Sequence, residues 1–161
     1  MLIQYCKKGV LLVLLVCGAW AGGFAQEWNL VWSEEFDRDG KLDEAVWNYE
    51  NGFARNEEAQ WYQPDNAYCK DGKLVIEARK GRKNPLYEAG SKDWRKKREF
   101  IEYTSSSVTT AGKKEFLYGR FEVYAKIPTA GGAWPAIWLL GKGVQWPSCG
   151  EIDVMEYYRI K

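Results

Sequence analysis

Apolar and polar residues alternate with a period of two along most of the chain. In residues 74–79 and 120–127 the apolar side chains fall on one face and the polar ones on the other, which predicts half-buried β-strands. Residues 134–140 are apolar on both faces, as in a strand covered on both sides. Turn-forming residues at 71–72 and 128–132 separate these runs. Because no long segment shows a helical period, the pattern predicts an all-β fold of the sandwich or jelly-roll type.

The N-terminal segment differs from the rest of the chain and has the pattern of a secretory signal. Two lysines precede an apolar run from residue 9 to residue 20, and small residues follow at positions 23 and 25. This run is shorter than the roughly 18 to 20 residues that a membrane-spanning helix needs. A membrane anchor, a buried first strand and a lipidated Cys17 are the alternatives. We therefore predict a signal at residues 1–25, a domain over residues 26–161, and a secreted, periplasmic or cell-surface protein.

Composition excludes several classes of function. The 161 residues suit one domain, and 23 Lys and Arg stand against 22 Asp and Glu, which is not the basic balance of a nucleic-acid binder. The sequence contains no histidine, so catalytic triads built on histidine and zinc sites built on imidazole are excluded. Any catalysis must therefore use carboxylates, and no cofactor is required.

A segment at residues 150–157 carries three carboxylates among β-branched and apolar residues, which predicts a strand. Glu151 and Asp153 lie two residues apart and therefore share a face. Glu156 lies five residues after Glu151 and would point to the opposite face of a regular strand. One extra residue, a β-bulge near residues 154–155, would return Glu156 to the face of the other two.

Three carboxylates on one face provide the two groups that glycoside cleavage requires. Like charges this close repel one another, so such a trio keeps one proton near neutral pH. An ionised carboxylate can then act as a nucleophile beside a protonated carboxyl that acts as the general acid. A solvated acidic strand face is one alternative. A calcium site is a weaker one, because calcium ligands usually come from flexible loops.

Aromatic residues close in sequence to the acidic strand predict a surface for sugars, whose C–H faces pack on flat rings. Period two places Trp134 and Trp138 on one face with only Ala136 between them, which leaves a slot. Burial of both rings in the core is the alternative. Trp146, just before the acidic strand, is a weaker candidate. Residues 55–62 form a second polar and aromatic cluster, which alone is typical of a surface loop.

Two further features leave their function open. Cys69 and Cys149 remain after the predicted signal, and they could form a disulfide in an oxidising compartment or stay as two thiols. Residues 92–98 form a strongly charged stretch, which we interpret as a solvated loop rather than a polyanion-binding site.

The segment GEIDVMEYY at residues 150–158 resembles the active-site signature of glycoside hydrolase family 16 in its bulged E-x-D-x-x-E form. Four further segments resemble the family in sequence and in order, and with the signature they cover nearly the whole chain after the predicted signal. They are NEEAQWYQPDNAYCKDGKLVIEAR at 56–79, YTSSSVTT at 103–110, YGRFEVYAKIP at 118–128 and WPAIWLLG at 134–141.

The resemblance implies a fold and a reaction. The fold is a jelly-roll β-sandwich of two curved antiparallel sheets, with a cleft across the concave sheet. Glu151 matches the nucleophile, Asp153 the assisting acid and Glu156 the general acid/base. The bulged form is similar to that of laminarinase-like members, which cut β-1,3-glucans or mixed β-1,3/1,4-glucans with retention of configuration. A carbohydrate-binding module without catalysis is the alternative from another class, and agarose, porphyran, carrageenan or xyloglucan are the alternative substrates.

The resemblance also implies which residues bind sugar. Trp134 and Trp138 match aromatic positions that line the glycone subsites, and Arg55, Asn56 and Glu57 match a loop that contacts more distant sugars. The expected partner is a polysaccharide, and the protein is expected to be a monomer. We expect it to bind no nucleic acid and, after removal of the signal, no membrane. Many relatives carry a structural calcium, whose ligands are not assignable here. The chain is shorter than a family domain, so we expect it to be the N-terminal part of one.

Overall fold

The computed structural model describes residues 27–158, in which nearly all regular structure is β-strand. The predicted signal at residues 1–25 lies outside this range. Within the range, no helix is both long enough and apolar enough to span a membrane. The elements, in chain order, are β1 Asn48–Tyr49, β2 Gln60–Tyr62, a 3-10 turn Pro64–Asn66, β3 Ala67–Cys69, β4 Leu74–Ile76, β5 Arg79–Lys80, α1 Trp94–Lys97, β6 Tyr103–Ser105, β7 Val108–Thr109, β8 Ala136–Leu140 and β9 Glu151–Glu156.

The chain divides into two compact units. Of the residues described, the first unit comprises 27–44 and 49–108, and the second comprises 45–48 and 109–158. Strand β1 pairs with β7, and the boundary between the units runs through both of these strands. The first unit contains β2 to β6 with α1, and the second contains β8 and β9.

Strands of the first unit form a hairpin and a three-stranded sheet. Strands β3 and β4 pair antiparallel around Asp71 and Gly72, whose φ angles of 52° and 66° suit a tight hairpin turn, so the turn predicted there is confirmed. In the other sheet β6 lies between β5, which is antiparallel, and β2, which is parallel. The parallel pair departs from the predicted antiparallel sheets. The long connection from β2 to β6 allows it, because a parallel return needs a dozen or more residues.

A buried asparagine lies at the centre of the first unit. Asn66 is completely buried, and its amide nitrogen donates to the carbonyl of Glu77 at 2.8 Å and to the hydroxyl of Thr104 at 3.2 Å. Its backbone carbonyl accepts a further bond from the Glu77 N–H at 2.8 Å. Asn66 therefore links the 3-10 turn to the chain after β4 and to β6. The apolar residues buried in this unit are Leu42, Phe53, Ala67, Cys69 and Ile101.

Replacing Asn66 with alanine should lower the free energy of unfolding by about 1–3 kcal/mol. The substitution leaves the partly buried Glu77 carbonyl and the buried Thr104 hydroxyl without this donor, and an unsatisfied buried polar group costs about that much. Urea denaturation of the full-length protein measures the change. Asn51→Ala is the control, since Asn51 is exposed and its side chain donates a long bond of 3.5 Å to the Tyr49 carbonyl. An equal loss in both variants would contradict the role of Asn66.

The strand predicted at residues 120–127 is wrong. The structure describes this segment throughout and includes it in no strand. Phe121 and Val123, which the period placed on a buried face, are 40% and 53% exposed. Alternation specifies which side chains share a face, but a strand also needs a neighbouring backbone to satisfy its N–H and C=O groups. No strand among the described residues pairs with this segment.

The two cysteines within residues 27–158, Cys69 and Cys149, are free thiols. Cys69 is buried in β3 of the first unit, and Cys149 lies half-buried before β9 in the second. Burial raises the pKa of the Cys69 thiol, which favours its protonated form. Of the two possibilities that the sequence left open, the structure shows the unpaired thiols.

Candidate active site

The antiparallel ladder between β8 and β9 contains a β-bulge at Val154. Trp138 faces Asp153, whereas the preceding residue of β8, Ile137, faces Met155. Val154 is therefore an extra residue with no partner in β8, and the register shifts by one at this point. The bulge predicted from the spacing of the acids is confirmed.

The bulge places all three acids on one face of the ladder. Residues opposite each other on paired strands share a face. The partners of the acids in β8 lie two residues apart, so they and the acids lie on the same side. The pairs are Glu151–Leu140, Asp153–Trp138 and Glu156–Ala136. The other face is apolar and consists of Ile137, Leu139, Ile152 and Met155.

Trp134, two residues before β8, binds the last of the three acids. Its indole nitrogen donates to Oε1 of Glu156 at 3.0 Å, and its ring packs against Tyr158 with centroids 5.3 Å apart. The Trp134 side chain is nonetheless 67% exposed, so the core alternative is wrong for this residue. The ring therefore holds Glu156 and still presents an open aromatic surface.

Trp146 binds the first acid of the strand in the same way. Its indole nitrogen donates to Oε2 of Glu151 at 2.7 Å, and its ring is 64% exposed. The connection between β8 and β9 brings Trp146 back to this position because its ends approach closely. The Gly141 N–H donates to the Gly150 carbonyl at 3.3 Å, and a Cβ on Gly141 would overlap the carbonyl of Cys149.

Trp138 completes the acidic face. It is half-buried in β8 opposite Asp153, and the small residue Ala136 separates it from the position of Trp134. The three acids themselves are exposed. The face therefore combines accessible carboxylates with flat rings, an arrangement suited to a sugar whose C–H groups pack on aromatic surfaces and whose hydroxyls bind carboxylates.

Arg55, Asn56 and Glu57 belong to the first unit, and the three carboxylates belong to the second. The Arg55 guanidinium forms an ion pair with Glu50 and lies 5.8 Å from the centroid of the Tyr62 ring. Desolvation alone would lower the pKa of Arg55, but the hydrogen bond and charge of Glu50 raise it. Asn56 and Glu57 are exposed and have φ angles of 54° and 52°. The predicted loop thus exists, with an engaged arginine and an exposed tip.

The described residues contain no cluster of acidic side chains that would form the core of a calcium site. Among residues 27–158, no group of three or more aspartate, glutamate or cysteine side chains is arranged to hold a metal ion. Calcium requires six to eight oxygen ligands.

The sequence pattern does not predict that the two outer acids, Glu151 and Glu156, each accept a hydrogen bond from an indole N–H. Trp134 and Trp146 were predicted only as sugar-binding surfaces, whereas the structure shows that they also donate to Glu156 and Glu151. The short separation of Trp146 from Glu151 was an available signal. The contact of Trp134 with Glu156 could be found only from the strand register, because the two residues are far apart in sequence.

The fold and the carboxylate face together define a carbohydrate-active β-protein. The model of the XgeA-like catalytic GH16 domain matches residues 65–160, which include the whole acidic strand. The chain belongs to glycoside hydrolase family 16. The jelly-roll sandwich and the family membership predicted from the sequence are both confirmed.

Known relatives cover most of the chain. A β-glucanase of Rhodothermus marinus is 40% identical over 83% of this chain and 45% of its own length. The laminarinase structure from the same organism is 39% identical with a TM-score of 0.63, over 81% of this chain and 50% of that one. A structure of endo-acting O-glycanases that human gut microbiota use to initiate mucin breakdown is 44% identical with a TM-score of 0.70, over 84% and 49%. The chain spans about half the length of these relatives.

Proposed function

We propose that the full-length protein is an endo-acting glycosidase that cleaves β-1,3-glucans or mixed β-1,3/1,4-glucans with retention of configuration. One observation carries this proposal. The bulge at Val154 gathers Glu151, Asp153 and Glu156 on one exposed face, and an indole N–H orients each of the two outer carboxylates.

In the proposed reaction the two outer acids, Glu151 and Glu156, have different roles. The Glu151 carboxylate attacks the anomeric carbon while the Glu156 carboxyl gives its proton to the departing glycosidic oxygen. This forms a glycosyl ester on Glu151 and releases the first product. Glu156, now ionised, takes a proton from water, and the water oxygen attacks the anomeric carbon and frees Glu151. Asp153, between them on the strand, assists the nucleophile.

The substrate class rests on the relatives. The Rhodothermus marinus proteins are a β-glucanase and a laminarinase, which supports a β-glucan. Mucin-type O-glycans are the second candidate, because the structure that acts on them has the higher identity and TM-score of the two solved structures compared. The three acids and the aromatic face serve either substrate, since both reactions break a glycosidic bond.

The N-terminal pattern supports the cellular location. We propose that residues 1–25 act as a secretory signal, that residues 26–161 belong to the catalytic domain, and that the protein works outside the cytoplasm as a monomer. A polymeric glycan is too large to enter a cell intact, so export is consistent with the proposed reaction.

A panel of glycans tests the proposed function. The full-length protein is incubated with laminarin, lichenan, agarose, porphyran, carrageenan, xyloglucan and mucin, and released reducing ends are counted. We expect release from laminarin and lichenan, with the β-anomer formed first in an NMR time course. Release from mucin alone would transfer the assignment to O-glycans. Binding to insoluble glucan without turnover would favour a carbohydrate-binding module.

Replacing Trp146 with phenylalanine should reduce kcat/KM on the cleaved glycan by about tenfold. The variant keeps an aromatic ring but loses the N–H that binds Glu151, and hydrogen bonds to charged groups contribute about 1.5–3 kcal/mol, with exposed sites at the low end. Steady-state kinetics of the full-length protein measure the effect. Trp28→Phe, at a half-exposed tryptophan of the first unit, is the control and should leave kcat/KM unchanged. Equal kcat/KM values for the two variants would contradict the proposed role of the Trp146 N–H.

A further inference from the structure

The antiparallel pairing of β8 and β9 continues past Glu156, the last residue of β9. The Tyr157 N–H donates to the Pro135 carbonyl at 3.1 Å, which extends the ladder by one position. At the next position Trp134 therefore lies opposite Tyr158. Because successive residues of a strand point to alternate faces, this aromatic pair lies on the same face as Glu156. The acidic face of the second unit thus ends in two rings.

Trp134 and Tyr158 contact each other through these rings. The ring centroids are 5.3 Å apart and the ring planes meet at 39°, a tilted packing within the distance range of favourable aromatic pairs. Trp134 is 67% exposed and Tyr158 is 54% exposed, so the rest of the unit covers less than half of each side chain. The contact between them therefore restrains two rings that are otherwise largely open to solvent.

The freedom that remains to Trp134 is rotation of its side chain. Pro135 follows it directly, and a residue before proline is restricted to extended backbone angles. Two contacts limit the side-chain rotation. The indole nitrogen donates to Oε1 of Glu156 at 3.0 Å, and the ring packs against Tyr158. Without the packing, the indole should leave the Glu156 carboxyl for part of the time.

The indole bond distinguishes the two oxygens of the Glu156 carboxyl. An indole N–H is a donor only, so the oxygen that it binds must act as an acceptor. In a protonated carboxyl the oxygen without the proton is the better acceptor, and Oε1 takes this role. The acidic proton then belongs to Oε2, which the indole leaves open. A carboxyl without this bond could carry its proton on either oxygen.

We propose that Tyr158 is a positioning residue for proton donation: it holds Trp134 so that the indole N–H occupies Oε1 of Glu156 and the proton for the leaving group stays on Oε2. The proposal rests on the proposed function, in which Glu156 is the general acid. Tyr158 acts through Trp134 and takes no part in bond breaking. Its loss should therefore slow only reactions in which the leaving oxygen needs the proton.

Tyr158→Ala in the full-length protein tests the proposal with two aryl glycosides that differ only in the acidity of the phenol. Both carry laminaritriose, or the saccharide that the glycan panel identifies if it differs. For the weakly acidic phenol, we expect kcat/KM to fall about three- to tenfold, because one aromatic contact that holds one hydrogen bond is lost. For the strongly acidic phenol, which leaves without protonation, kcat/KM should stay the same.

Matched variants show whether the effect passes through the indole. Tyr158→Phe keeps the ring and should restore wild-type values for both phenols. Tyr124→Ala removes a fully exposed ring of the second unit and should change neither value. In Trp134→Phe, which already lacks the N–H, adding Tyr158→Ala should cause no further loss, because the tyrosine acts through that bond.

The indole N–H of Trp134 gives a readout that needs no turnover. In a proton–nitrogen correlation NMR spectrum its signal is identified by its absence from Trp134→Phe. In Tyr158→Ala this signal should move toward the position of an indole bound to water, whereas Tyr124→Ala should leave it in place. If Tyr158→Ala does not fold, Tyr158→Leu keeps an apolar side chain without a flat ring and should show the same changes at smaller size.

The outcomes separate this proposal from the function on which it rests. An equal loss for both phenols, the same loss in Trp134→Phe as in the wild type, or an unmoved indole signal overturns the positioning role of Tyr158. A wild-type protein that cleaves no glycan contradicts the proposed function, and the indole signal then still decides whether Tyr158 holds Trp134 on Glu156.

Discussion

Replacing Glu151 with alanine should lower turnover of the cleaved glycan by on the order of 10⁴-fold or more. In the proposed mechanism this variant lacks the oxygen nucleophile that forms the glycosyl ester. The β8–β9 register that places Asp153 and Glu156 on one face is a backbone pairing and should stay the same. Release of reducing ends by the full-length protein measures the loss.

Restoration of turnover by azide distinguishes loss of the nucleophile from misfolding of the variant. A small anion can occupy the space of the missing carboxylate and attack the anomeric carbon directly. We expect azide to restore part of the turnover of Glu151→Ala on an activated aryl glycoside and to yield a glycosyl azide of inverted configuration. Glu99→Ala, at an exposed acid of the first unit, should keep full activity. Undiminished turnover in Glu151→Ala would remove its assignment as nucleophile.

Replacing Glu156 with alanine should reduce turnover of the polysaccharide by about 10²–10⁴-fold, the usual contribution of a general acid. The loss should nearly disappear for the first step on an aryl glycoside whose phenol leaves without protonation. The glycosyl ester on Glu151 should then accumulate, because no base activates water. A burst of phenol followed by a slow steady state, together with a mass increase of the protein, measures this behaviour.

The same azide experiment distinguishes the two acids. With Glu156→Ala, azide attacks the ester on Glu151 from the opposite side, so the product keeps the configuration of the substrate. Trp134→Phe is the matched variant, since it keeps an aromatic ring but removes the N–H that binds Glu156, and it should cause a much smaller loss. An inverted azide product from Glu156→Ala would exchange the roles of the two acids.

The carboxylate site was predictable because its information is local. The five-residue separation of Glu151 and Glu156 conflicts with a regular strand, and a bulge resolves the conflict within the same strand. The structure places the extra residue at Val154, within the predicted pair of positions. The tight turn at Asp71 and Gly72 was predictable for the same reason, since residue types that tolerate left-handed backbone angles define it.

Contacts between distant segments were not predictable. Residues 120–127 alternate cleanly yet form no strand, because pairing depends on a neighbour that the pattern does not encode. The charge of residues 92–98 indicated solvent, whereas Arg95 and Arg98 bind carbonyls about forty positions earlier in the chain. Asn84 was unremarkable as a sequence position and proved to be a buried support for α1.

By itself the sequence determined the all-β class and the bulged strand that carries three acids on one face. Period and residue type are local properties, and they decide which side chains share a face of a strand. Only the tertiary structure decided which indole binds which acid and which arginines bind the backbone of residues 53–58. Those contacts depend on the register between strands and on the path of long connections. The same pattern of apolar and polar residues is compatible with many different pairings of distant segments.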